Sequence, residues 1–199
     1  MNKKPKKVLF FGKTGVGKST TANMLFNLNF MTDDSVACTK IPQIEYNEDY
    51  HLEIIDMPGI GESLETDDVY MDFYREWIPK ADCITWITQS NTRGYKLDQE
   101  YILFLSDYIR KDVKFILGLS KFDLFAKSEL EKTFDYKEGQ PSEEQLTLFP
   151  VKKNDIYGVF SEVSEGVFTL SKENIVPFSA KYNWGMSTLK EKILPQEGV

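Results

Sequence analysis

The stretch FFGKTGVGKSTTANMLF, Phe10 to Phe26, sets three glycines, two lysines and four hydroxyl side chains between an apolar run and a helical pattern. Val8 to Phe11 is a short continuous apolar run ended by Gly12, the mark of a buried strand. After Gly17, Ala22, Leu25 and Phe26 recur at helical spacing. The segment therefore reads strand, loop, helix. Gly12 to Ser19 within it matches G-x-x-x-x-G-K-[ST], placed where that motif must sit. Glycines let successive N–H groups point inward and form a nest at the positive end of the helix dipole, whose natural occupant is an anion. Lys13, Thr14, Gly15, Val16, Gly17, Lys18, Ser19 and Thr20 make up this cradle. The Lys18 ammonium suits the β- and γ-phosphates of a nucleotide, and the Ser19 hydroxyl suits a Mg²⁺ bridging them.

Such a loop chooses neither base nor reaction, so the rest of the chain must. KIPQIEY and YHLEIID read as strands joined by a turn at Asn47, Glu48 and Asp49, an antiparallel pair. LETDDVYMDFYREWIPKA reads as a helix with Val69, Phe73, Trp77 and Ile78 on its apolar face, and its aromatics serve core packing in preference to a partner surface. DCITWITQ and KFILGLS read as strands, with LDQEYILFLSDYIRKD a helix between them. Residues 127–141 are polar and weakly patterned, a candidate mobile loop. A helix then starts at Ser142 and is broken or kinked at Pro150. NIVPFSA is a last strand and STLKEKIL a closing helix capped by Ser187. Alternating strands and helices make an α/β chain with a mostly parallel sheet covered on both faces.

Polar residues mark the ends of these strands. Asp56-Met57-Pro58-Gly59 offers a carboxylate for a metal-bound water and, at Gly59, an N–H for close approach to a γ-phosphate. Ser120-Lys121-Phe122-Asp123 and Ser179-Ala180-Lys181 close the last two strands, and ligands of open α/β sheets bind at such ends. Asp123 discriminates between bases. A carboxylate accepts two parallel hydrogen bonds from guanine's ring N–H and exocyclic amine, whereas adenine would leave it unpaired. The stem of Lys121 lies along the base, and a backbone N–H near Ala180 serves the guanine oxygen.

With 199 residues, 41% of them hydrophobic, the chain is sized for one domain spanning residues 1–199, led in by a basic segment at residues 1–6. A net charge of -7 gives no strong nucleic-acid signal, and no stretch is long enough to span a membrane. The apolar run after the basic lead is too short for a signal peptide, and Cys38 and Cys83 match no metal spacing, so a cytoplasmic location with reduced thiols is expected.

With GKTGVGKST, Asn23 and MLF after it, a threonine before the hairpin, DMPG, SKFD and SAK, the chain resembles a small GTPase domain of the translation-factor-related superclass, most similar to the Era-like branch. PSEEQ leading to NIVPFSA looks in addition like the bacterial relatives of the immunity-related GTPases. The resemblance implies a three-layer Ras-like P-loop NTPase fold, with a six-stranded mixed sheet that has one antiparallel edge strand and helices on both faces. It implies GTP and Mg²⁺ binding, hydrolysis to GDP, and a nucleotide-dependent switch. By position it makes Thr39 the first switch's metal-ligating, γ-phosphate-sensing threonine, beside Ser19 and Asp56 as metal ligands, and residues 60–68 the second switch. Lys18, Thr39 and Gly59 are then the catalytic set.

Three residues depart from the pattern. Ser120 is shorter than the usual asparagine or threonine, which implies a looser tether to the phosphate loop. Ile60 stands where some GTPases carry a water-orienting glutamine, and Gly15 where potassium-assisted members carry asparagine. Slow intrinsic hydrolysis is expected, with the missing group supplied by an activating protein partner or a second copy in a homodimer. His51, in an apolar-alternating strand, is read as structural. The alternatives are a non-hydrolysing assembly module using GTP as structural glue, and an ATP-dependent P-loop enzyme in which SKFD is coincidence.

Overall fold

The computed structural model describes residues 4–32, 41–61 and 64–194, without the side chains of residues 64–68. Strand β1 (Lys6–Gly12) runs into the glycine loop and helix α1 (Lys18–Phe26). β2 (Gln43–Asn47) and β3 (Leu52–Asp56) form the hairpin, and α2 (Leu64–Trp77), β4 (Cys83–Gln89), α3 (Lys96–Phe104), β5 (Lys114–Ser120), α4 (Glu143–Ser164), β6 (Ile175–Pro177) and α5 (Met186–Ile193) follow. The six strands lie in the order β2-β3-β1-β4-β5-β6. Only the β2–β3 pairing is antiparallel. β1, β4 and β5 are apolar runs because both their faces are covered, whereas β2 alternates half-buried with exposed residues and sits at the edge.

The two-residue period of a strand divides the core. Leu9 and Phe11 pack with Tyr74 of α2, Ile102 of α3 and Phe160 of α4, while Val8 and Phe10 pack with Leu25 of α1 and Leu189 of α5. The Phe11 ring meets Tyr74 and Trp86 at 4.8 Å each, which ties α2 and β4 to the strand that carries the loop. Burying each of these rings stabilises the domain by about 2–3 kcal/mol. Since β1, β3, β4, β5 and β6 are parallel, Gly12, Asp56, Gln89, Ser120 and Pro177 all finish on one edge of the sheet.

Several local expectations change. The buried face of α2 is Tyr70, Met71 and Tyr74, with Phe73 and Trp77 partly buried, while Val69 is 64% exposed, because the side that meets Phe11 lies about one residue further round the helix. Helix α4 runs unbroken through Pro150. Its start is fixed by a capping box between Ser142 and Gln145, and its second half by buried Ile156 and Phe160, which outweigh the ~3 kcal/mol proline penalty. α5 begins after Gly185, with Ser187 already inside it, and α3 ends at Phe104 before a short 3₁₀ turn. His51 lies in the β2–β3 turn rather than in the strand, with φ 52° and its Nδ1 bonded to the Tyr46 hydroxyl. Residues 127–141 carry neither helix nor strand. Phe134 is buried there against Tyr182, and Asp135 pairs with Gln140.

Candidate functional site

The glycine loop leaves β1 at Gly12 and enters α1 at Lys18. Gly17 precedes the helix with φ 94°, a conformation that favours glycine, and its carbonyl receives the Thr21 N–H at 2.9 Å and the Thr21 hydroxyl at 2.6 Å. Lys18 is 7% exposed and arches back so that Nζ donates to the Lys13 carbonyl at 3.1 Å, over the loop it belongs to. Thr20 lies exposed in the first turn of α1.

Two oxygen donors meet beside it. The Ser19 hydroxyl donates to Asp56 Oδ2 at 2.5 Å, and the Gln43 amide approaches the same oxygen at 3.4 Å. Asp56 is fully buried at the end of β3. A hydroxyl and a carboxylate so placed are hard oxygen ligands of the kind Mg²⁺ takes, so the donor set fits that ion. Beyond Asp56 the chain is stitched onto the glycine loop: Thr14 N–H donates to the Ile60 carbonyl at 3.1 Å, and Ile60 N–H to the Gly12 carbonyl at 3.3 Å. Gly59 is required by this closeness, because a Cβ there would stand 2.2 Å from Thr14 Oγ1 and 2.8 Å from Thr14 N. The Ile60 side chain turns into the core at 1% exposure.

The far end of the crevice is built from side chains. Ser120 Oγ lies 2.8 Å from the Val16 carbonyl and 3.2 Å from that of Thr88, so despite its length the serine does tether the phosphate loop. Lys121, at φ 55°, donates from Nζ to the Gly15 carbonyl at 3.1 Å, and the Gln89 amide reaches the same oxygen at 3.4 Å. Asp123 is 7% exposed, and its Oδ1 accepts the Ser179 hydroxyl at 2.7 Å. Ser179 is held in turn by backbone bonds to Trp184, whose ring stacks on Phe122 at 4.7 Å. Ala180 follows, and Lys181 turns its ammonium over the Tyr182 ring.

The structure therefore gathers the loop residues, Asp56, Gly59, Lys121, Asp123 and Ser179 at one edge. Thr39, like Cys38, lies outside the described residues. Lys13 differs from the expectation: its Nζ lies 2.7 Å from Asp98 Oδ2 and donates to the Gly94 carbonyl at 3.0 Å, so its side chain is engaged with α3 and the turn before it. Asp98 is fully buried and also accepts Trp86 Nε1 at 2.9 Å. Burial raises its pKa above the usual carboxylate value, while Lys13 and Trp86 pull it back. Asp98 lies one turn from Ile102 on the buried face of α3, a placement the sequence does not mark. Asn23 bonds both backbone groups of Phe30 at 2.8 Å and so holds the chain after α1.

This geometry has known counterparts. Residues 7–121 match the model of the 50S ribosome-binding GTPase family, and the chain belongs to that family. It is 33% identical over 114 residues to the uncharacterized protein YkfA of Escherichia coli K12, covering 55% of this chain and 39% of that one. It is 26% identical over 195 residues to the chloroplastic GTPase ERA1 of Zea mays, 94% of this chain and 39% of that one. The chain thus spans about two fifths of the length of these curated relatives. Solved structures of Era share its fold. One, from Aquifex aeolicus with GDP and aluminium fluoride, has a TM-score of 0.65 at 22% identity, over 98% of this chain and 59% of that one. Another, with MgGDPNP and a segment of 16S ribosomal RNA, has a TM-score of 0.63 at 20% identity, over 98% and 59%. The domain is a guanine-nucleotide-binding domain of Ras-like, Era-like form. Among the described residues no helix is long and apolar enough to cross a membrane.

Proposed function

We propose that the chain binds GTP with Mg²⁺ along this edge, hydrolyses it to GDP and phosphate slowly on its own, and serves in the cytoplasm as a switch between the two nucleotide states. The observation that carries the reading is the juncture of sequence-distant groups on one loop: Ser19 with Asp56 at one end, Ser120 and Lys121 on Val16 and Gly15 at the other, and Asp123 beside them. The N–H groups of the loop beyond Thr14, from Gly15 to Thr20, and the Lys18 ammonium hold the phosphates and neutralise charge on the transferring group, with Lys13 and Thr14 shaping the loop's entry. Ser19 and Asp56, with Thr39, would hold Mg²⁺, which when bound would supply further neutralisation of the phosphate charge. The Gly59 N–H faces the γ-phosphate, which couples the loop after β3 to the nucleotide state. Asp123, oriented by Ser179, reads guanine, with the stem of Lys121 along the base and the backbone of Ala180 and Lys181 at its oxygen.

Water attacks in line without a named side chain to orient it, because Ile60 is turned into the core. A second copy or an activating protein supplies that group. Hydrolysis per molecule that rises with protein concentration, or with an added partner, supports this, and fast concentration-independent turnover refutes it. Calorimetry with GTP, GDP and ATP tests the base, and Ser19→Ala should weaken GTP binding in Mg²⁺ but not in chelator. The buried Ile60 also favours a second reading, a GTP-binding assembly module that does not hydrolyse. Intact GTP persisting for hours in a single-turnover assay would favour it.

A further inference from the structure

Lys13 occupies the second position of the phosphate loop, yet its ammonium is bonded to Asp98 and Gly94. Its backbone meanwhile pairs with Ile60 in an isolated parallel bridge. One residue is thus clamped by α3 through its side chain and by the chain after β3 through its main chain. Asp98 in turn is fixed by Trp86 of β4. The buried Asp98 carboxylate and the partly exposed Lys13 ammonium neutralise each other, and removal of Lys13 leaves the carboxylate charged in a poorly solvated place.

We propose that Asp98 is a positioning residue for the phosphate loop, acting through Lys13, whose ammonium is a structural counter-ion and not a phosphate ligand. The inference rests on the GTP-binding reading above. The pair fixes where the chain leaves β1, and the N–H groups beyond Thr14 take their direction from that point. Lys18 remains as the loop's ammonium for the phosphates. The groups facing Asp98 are Lys13 from the loop, Trp86 from β4 and Tyr95 from the turn before α3, with Lys152 and Asp155 of α4 beyond the Tyr95 ring. Burial raises the Tyr95 phenol well above its ordinary value, so it stays neutral and leaves Lys13 as the cation bonded to Asp98.

The two roles for Lys13 separate by pH. In Lys13→Met, Asp98 keeps the burial that raises its pKa and loses the ammonium that lowered it. Its folded pKa, already above the unfolded one, then rises further, so the variant's integrity is present at low pH and lost as pH rises through the folded value. Affinity for fluorescent GDP and GTP analogues with Mg²⁺, measured relative to wild type at each pH across the range in which wild type is folded, should fall about tenfold at the alkaline end and recover towards the acid end. Adding Asp98→Asn, which keeps an oxygen for Trp86, should abolish the pH dependence and recover part of the affinity, to about threefold below wild type at both ends of the range, because no charge is left unpaired although the clamp on the loop is gone. A pH-independent loss that Asp98→Asn does not rescue would show Lys13 to be a phosphate ligand and overturn the proposal. Should Lys13→Met fail to fold, Asp98→Asn alone decides: binding of both nucleotides weakened about fivefold supports the proposal, and unchanged or tighter binding overturns it. Wild type that binds no guanine nucleotide at all would instead defeat the GTP reading.

Discussion

The two ends of the crevice are made in different ways. The phosphate end is one contiguous loop whose work is done by backbone N–H groups and a single ammonium, with Gly17 and Gly59 required by conformation and by close approach. The base end is assembled from the ends of β5 and β6, and what matters there is where side chains reach: Ser179 donates to Asp123, Lys121 to the Gly15 carbonyl and Ser120 to the Val16 carbonyl. The first arrangement recognises charge and is indifferent to the base. The second recognises a hydrogen-bonding pattern and adds little for a nucleotide that lacks it. Substitutions at the phosphate end should therefore weaken GTP and ATP alike, and those at the base end should act on GTP alone.

The largest effect that tests this division is Lys18→Ala. Removing a 7% exposed ammonium from a phosphate cradle should weaken both GDP and GTP binding by about 4 kcal/mol, read by calorimetry. Weak residual binding of ATP should fall with it, and a selective loss of GTP would break the comparison. Next is Asp123→Asn. An amide cannot accept both guanine donors, so GTP affinity should drop about 100-fold or more while xanthosine nucleotides gain, because the amide N–H can pair with the xanthine oxygen. Unaltered GTP affinity would detach Asp123 from the base and leave the crevice a general phosphate site.

This difference in construction also sets what could be read from the sequence. The phosphate loop is legible because its chemistry is local: eight consecutive residues, Gly12 to Ser19, carry the geometry themselves. Asp123 is legible through order and placement, because SKFD closes one strand and SAK the next, at the ends where open α/β sheets bind their ligands. Asp98 was not legible, since a carboxylate on a helix acquires meaning from its partner, and Lys13 lies far away in the chain. The same holds for Ser120, whose partner on the phosphate loop, the Val16 carbonyl, lies far away in the chain. In α2 the periodicity gave a helix but placed its inward face about one residue off, at Val69 instead of Tyr70 and Tyr74, because several adjacent aromatic residues satisfy either phase. Pro150 misled for a related reason: a local helix-breaking signal was outweighed by a capping box and by core contacts contributed from elsewhere in the fold.

A smaller effect is expected one step from the base. Ser179→Ala removes the hydroxyl that donates to Asp123 Oδ1 at 2.7 Å. A hydrogen bond to a carboxylate contributes about 2 kcal/mol, so GTP and GDP should weaken by roughly 20-fold to 30-fold with ATP unchanged. Loss confined to thermal stability, with nucleotide affinity intact, would make Ser179 a packing residue only.

The smallest effect belongs to the residue that joins the two ends. Ser120 stands on the base side, after β5, but its hydroxyl is spent on the Val16 carbonyl inside the phosphate loop. Ser120→Ala deletes one neutral hydrogen bond in a buried place, about 1 kcal/mol. If the two ends were independent, this loss would follow the residue's position and fall on GTP alone. The bond acts on the loop, however, so affinity for GTP and ATP should drop together, by about fivefold. Ser120→Thr, which keeps the hydroxyl, should restore both. A defect limited to guanine nucleotides would mean that Val16 is held without Ser120, and that the base end contributes nothing to the shape of the phosphate end.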